Sequence, residues 1–170
     1  MPDLHDFRAA KDEFFRTGQQ SPLTPSQRRS FRGLRYYPEQ PALALGLRPE
    51  LYEPPERVEM TTSTGGMAVY TRWAKVRFEV DGAPAELTVY RDAGSGELFL
   101  PFQDANAGGE TYGAGRYIEV HQFEDGRLLV DFNYAYNPSC AYSPHWTCPL
   151  PPRMSRLDLA VEAGERMAHP

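Results

Sequence analysis

The sequence predicts a mostly β, α+β fold: an antiparallel meander of about seven to eight strands forming a barrel or a strongly bent sheet, covered by two N-terminal helices. Three observations carry this expectation. Helical spacing and capping signals occur only before about residue 35. From Arg57 onward, apolar and polar residues alternate with a period of two. Between the alternating runs stand Asp-Gly or glycine-rich turns. A length of 170 residues matches one ordinary domain, here divided into helices over 1–35, an irregular wrap over 36–55 and the meander over 56–162.

Residues 3–17 read as an amphipathic helix, with Leu4, Phe7, Phe14 and Phe15 near helical spacing, Asp3 as N-cap and Gly18 to end it. Thr24-Pro25-Ser26-Gln27 is a capping box with proline at the first helical position, so a short second helix runs to about Phe31 and Gly33 stops it. Five prolines and no sustained period mark 36–55 as irregular. Strands are predicted at 57–62, 67–73, 76–80, 85–90, 98–102, 116–122 and 127–134. Asp81-Gly82, Asp92 to Gly96 and Glu124-Asp125-Gly126 supply the turns. Leu157, Leu159 and Val161 alternate weakly, which predicts one more edge strand in the tail.

Composition excludes several classes of function. Hydrophobic residues at 41% and charged residues at 24% put the chain outside the disordered corner. The net charge of -5 disfavours general nucleic-acid binding, which depends on neutralising phosphates. No apolar run approaches a membrane span, and the first residues are charged where a signal peptide would be apolar, so a soluble, cytoplasmic protein is expected, without a membrane or nucleic-acid partner. The positive excess lies in Arg28, Arg29, Arg32 and Arg35, interleaved with Phe31, Tyr36 and Tyr37. That pattern fits a solvated face, an anion site or a partner-binding patch.

The densest polar and aromatic information lies in 101–152. Gly113 and Gly115 lead into a strand and lack the third glycine of a dinucleotide fingerprint, and Ser95 lacks the setting of a nucleophile elbow. If 116–122 and 127–134 pair across the Asp125-Gly126 turn, Arg116, Ile118 and Val120 share a face with Asp131 and Asn133. A buried arginine must be paired. Two readings follow: an internal Arg116–Asp131 ion pair that fixes register, or the polar floor of a ligand pocket. Tyr112, Tyr117, Phe123, Phe132, Tyr134, Tyr136, Tyr142 and Trp146 crowd the same stretch and suit either planar ligands or the packing of a proline-rich loop.

Cys140 and Cys148 are the two cysteines. With His145 between them they offer three zinc ligands without a specified fourth, a thiol assisted by histidine, a short-loop disulfide, or two reduced thiols, and a reducing cytosol favours the last.

The stretches LFLPFQDANAGGETYGAGRYIEV and VDFNYAYNPSCAYSPHWTCPLPP, the final AGER, and the motifs GQQSP, Phe31 to Tyr36 and Thr61 to Gly65 are similar to a bacterial family filed as domain of unknown function one-six-eight-four. The resemblance covers most of the chain, including both cysteine positions, and implies no reaction. The leading expectation is a pocket walled by 104–148 that binds a small, partly aromatic or anionic molecule. Its residues would be Asp104, Thr111, Tyr112, Arg116, Tyr117, Asp131, Asn133, Tyr136, Asn137 and Tyr142, with no metal ligand assigned, no catalytic residue designated and the cofactor and oligomeric state open. The competing expectations are a hydrolase-like enzyme using Cys140 or an Asp104, Arg116 and Asp131 group, and a structural or partner-binding module.

Overall fold

The computed structural model describes residues 3–167, so both ends of the expected 1–170 span lie outside the described residues. Helix α1 (Leu4–Thr17) opens as its sequence dictates: the Asp3 carboxylate accepts from the backbone N–H groups of His5 and Asp6. Helix α2 (Pro25–Ser30) carries the full reciprocal capping box between Thr24 and Gln27. Both helices pack on the segment after the last strand rather than across a barrel opening. Phe7 meets Tyr134 edge to face at 4.9 Å, and Phe15, the buried residue of α1, meets Tyr142 at 5.0 Å.

Eight strands follow: β1 (Ala44–Leu47), β2 (Glu50–Thr61), β3 (Met67–Val80), β4 (Ala83–Asp92), β5 (Leu98–Phe102), β6 (Arg116–Glu119), β7 (His121–Gln122) and β8 (Leu128–Asp131). They form two antiparallel sheets, one of five strands in the order β2-β3-β4-β5-β6 and one of three in the order β1-β8-β7, and not a closed barrel. The Asp81-Gly82 hairpin behaves as read, with φ of 51° and 80° giving the primed turn that matches strand twist. The runs expected at 67–73 and 76–80 are one strand, with the register shifting between Arg72 and Ala74.

Three expectations are corrected. The segment 36–55 is not irregular throughout, because it contains β1 and the start of β2. β1 has no β-branched residue and is a strand because β8 pairs with it. β2 lies at a sheet edge, where the register shift between Leu51 and Glu56 absorbs Pro54 and Pro55. The hairpin around Asp125-Gly126 exists, yet only His121 and Gln122 pair with β8, while β6 pairs instead with β5, Arg116 lying opposite Phe102. Val120 is the point at which the chain leaves one sheet for the other. The tail forms no named strand. Leu157 and Ala105 donate from their backbone to Gln103 and Leu159, so 155–159 runs beside the extension of β5.

One apolar core spans both sheets. Val76, Leu87, Val89, Leu100 and Ile118 from the larger sheet meet Leu128, Val130 and Phe132, and the tail adds Leu157, Val161 and Ala163. The last crossing is tight at Gly164. Its φ is +79°, and a side-chain methyl there would stand 2.8 Å from Ala135 Cβ and from the carbonyl oxygens of Ala135 and Phe132. Gly164→Ala should therefore destabilise the protein by more than about 2 kcal/mol, read as a lowered urea midpoint with an unchanged denaturant slope.

Candidate functional site

Arg116 is one of two charged residues at 1% exposure among the described residues. It opens β6 at 1% exposure, and its pKa is lowered by burial against the opposing pull of Asp104. Its Nη1 donates to the carbonyls of Ala163 (2.5 Å) and Glu165 (3.0 Å), and its Nη2 to the carbonyl of Val161 (2.9 Å) and to Asp104 Oδ2 (3.4 Å). Asp104 in turn accepts from the Val161 N–H and the Thr111 hydroxyl, and the guanidinium lies over the Phe102 ring. The Arg116–Asp131 pair expected from the hairpin is not made, because the chain changes sheets before the two strands could align. Asp104, Arg116 and Asp131 accordingly do not form one polar group. Asp131 instead caps the turn that follows it, with Oδ1 accepting from the N–H and the side-chain amide of Asn133. Asn133 is buried and holds the backbone of Gln40 at both its N–H and C=O.

A second buried charge, absent from the sequence-based reading, sits beside it. Glu165 is 1% exposed, and its Oε1 accepts from the Asn137 N–H and the Tyr142 hydroxyl, each at 3.0 Å. Its Oε2 pairs with Lys11 of α1. Burial first, and then the Glu165 charge, raise the Tyr142 pKa. Asn137 and Tyr142 thus support a buried ion pair and do not face solvent. Among the sequence signals, the placement of Lys11 one helical turn after Phe7 bears on this site, as does the glutamate of AGER, although neither names the other as partner.

Between α1 and the smaller sheet is a cavity of about 400 Å³ lined by Phe7, Lys11, Glu119, His121, Leu129, Asp131, Tyr134 and Tyr136. Of the residues expected to bind a ligand, it brings together Asp131 and Tyr136. The other wall is α1, which the reading of 104–148 alone did not include. Lys11 Nζ stands 4.9 Å from the centre of the Tyr136 ring, and burial raises the Tyr136 pKa.

Tyr112 and Tyr117 belong to a third place, the cysteine loop. The Tyr112 hydroxyl lies 3.9 Å from Cys140 Sγ, and burial together with that sulfur pushes its pKa up to about 12. The Tyr117 hydroxyl donates to the Pro149 carbonyl. Both cysteines are free thiols. Among the described residues no three His, Cys, Asp or Glu side chains gather as a metal cage, the Cys140, His145 and Cys148 set included. The 28–37 patch divides: Arg29 and Arg32 are exposed, whereas Tyr37 is buried and donates to Glu110. No helix among the described residues is long and apolar enough to cross a membrane.

Arg116→Leu should cost about 3–5 kcal/mol, since it leaves the buried Asp104 carboxylate without its countercharge and three tail carbonyls without a donor. Chemical denaturation measures the loss, and limited proteolysis should cut first in 155–166.

Comparison with known proteins bears on the family and the fold. A family model described as a protein of unknown function (DUF1684) matches residues 29–166, and the chain belongs to that family. A solution NMR structure of an uncharacterised protein of Haloarcula marismortui is similar at 39% identity and a TM-score of 0.73, covering 96% of this chain and 91% of that one. No curated protein matches.

Proposed function

We propose that this member of the family binds a small aromatic molecule bearing a positively charged or hydrogen-bond-donating group, in the cavity between α1 and the smaller sheet. The observation that carries the reading is the lining itself. Phe7, Tyr134 and Tyr136 supply aromatic walls around a space of about 400 Å³, within the usual range for small-molecule sites. The polar groups at its edge are mainly acceptors: the carboxylates of Glu119 and Asp131, with His121 between them in sequence. Lys11, the one cation in the lining, is engaged by Glu165. With Arg116 enclosed, the charge that would have favoured an anion is out of reach, so a cationic or donor-bearing ligand fits better than an anionic one.

In this reading Asp131 and Tyr136 touch the ligand. Asn133, Asn137 and Tyr142 act at one remove, by holding the 131–137 segment and Lys11 in place.

The reading is tested by NMR titration of ¹⁵N-labelled protein with benzylamine and with benzoate. Benzylamine should shift the amides of Phe7, His121, Leu129 and Tyr134, and Glu119→Gln, a substitution at an exposed position, should weaken it about fivefold, roughly 1 kcal/mol. Absence of localised shifts, or tighter binding of benzoate, overturns the reading.

A further inference from the structure

The cysteine loop is built from two arms with different anchors. One is the short 3-10 turn Ser139–Ala141, which presents Cys140 part-way to solvent. The other, 147–150, is stitched to the turn between β2 and β3. The Ser63 N–H donates to the Cys148 carbonyl, the Cys148 N–H to Ser63 Oγ, and the Leu150 N–H to the Thr61 carbonyl. The Tyr117 hydroxyl holds the same arm at Pro149. The two arms meet at their cysteines: the Cys148 and Cys140 side chains are hydrogen-bond neighbours, and the Tyr112 hydroxyl lies 3.9 Å from Cys140 Sγ.

Around Cys140, therefore, the Cys148 thiol and the Tyr112 hydroxyl are placed to stabilise negative charge on one sulfur. Cys148, by contrast, is buried. An accessible thiolate in hydrogen-bond contact with a second, enclosed thiol is the arrangement that two-step thiol oxidation requires.

We propose that Cys140 and Cys148 form a reversible redox site, in which Cys140 is the nucleophile toward a small hydroperoxide and Cys148 resolves the product to an intramolecular disulfide. In the first step the Cys140 thiolate attacks one peroxide oxygen. The S–O bond forms, the O–O bond breaks, and the leaving oxygen takes up a proton and departs as water from hydrogen peroxide, or as an alcohol from an organic hydroperoxide. Sulfur is oxidised to a sulfenic acid and the peroxide is reduced. In the second step the Cys148 sulfur attacks the Cys140 sulfur. The S–S bond forms, the S–O bond breaks, and the hydroxyl leaves as water with the Cys148 proton. Two thiols and one hydrogen peroxide thus give one disulfide and two waters, and a dithiol reductant restores the pair. The two thiols are already neighbours, so closure asks for rotation of side chains rather than a change of fold.

The Cys148 hydrogen bond, more than the Tyr112 hydroxyl, lowers the Cys140 pKa to about 6, whereas Cys148 is raised by its neighbour and by burial. A lowered thiol pKa means that the thiolate is present at neutral pH and is lost as pH falls through that value. Alkylation of Cys140 by iodoacetamide should accordingly be half-maximal near pH 6, against about 8.5 for an ordinary thiol.

The decisive experiment treats the full chain with one equivalent of hydrogen peroxide and follows the intact mass and the 139–152 peptides. The wild type should lose two hydrogen masses as a monomer and regain them with dithiothreitol. Cys148→Ser should stop at a sulfenic acid on Cys140 that dimedone traps, and Cys140→Ser should be inert on the same timescale. Amide NMR spectra of both variants check that the fold is retained. A disulfide between two chains, direct passage of the wild type to sulfinic acid, or oxidation of Cys140→Ser at the wild-type rate each overturns the proposal.

Discussion

The guanidinium of Arg116 is the constraint around which the described residues are arranged. A charge at 1% exposure is tolerated only when its donors are matched, and here the acceptors come from places far apart in the chain: Asp104 in the loop after β5, and the carbonyls of 161, 163 and 165 in the tail. Meeting that demand draws the tail under the larger sheet and into the core. Gly164 permits the close crossing, and Glu165, arriving one residue later, sets up the second buried charge with Lys11 of α1. The N-terminal helix and the tail are thus coupled through two adjacent ionic clusters.

Legibility in the sequence followed the range of the interaction that decides each feature. The caps at Asp3 and Thr24 and the Asp81-Gly82 turn are settled within a few residues, and they are where the sequence placed them. Partner choice is decided at a distance. Nothing local tells β6 to prefer β5 over β8, or makes Ala44-Leu45-Gly46-Leu47 a strand. The same division holds at the candidate site. Tyr136 and Asp131 were visible in an aromatic, polar stretch, but Lys11 and Glu165 stand 154 residues apart and neither carries a signature of its own. Arg116 was recognised as buried and in need of a carboxylate, and the carboxylate proved to be Asp104, twelve residues before it rather than fifteen after.

The segment from 131 to 150 serves both functional readings from opposite ends. Asp131, Tyr134 and Tyr136 face the cavity beside α1, and Cys140 and Cys148 face the turn between β2 and β3. Between them, Asn137 and Tyr142 bind Glu165, so the tail that answers Arg116 also holds the stretch joining the two places. Shape at either end depends on that shared anchor.

The distances along the chain also give the fold an order in time. Arg116 waits 45 to 49 residues for the carbonyls that satisfy it. A nascent chain leaving the ribosome exposes both sheets before residues 161–165 have been made, with Asp104 as the one partner of Arg116 already in place. The core is therefore complete only once the tail, which contributes Leu157, Val161 and Ala163, is present. Until then three of the four acceptors of Arg116 are missing.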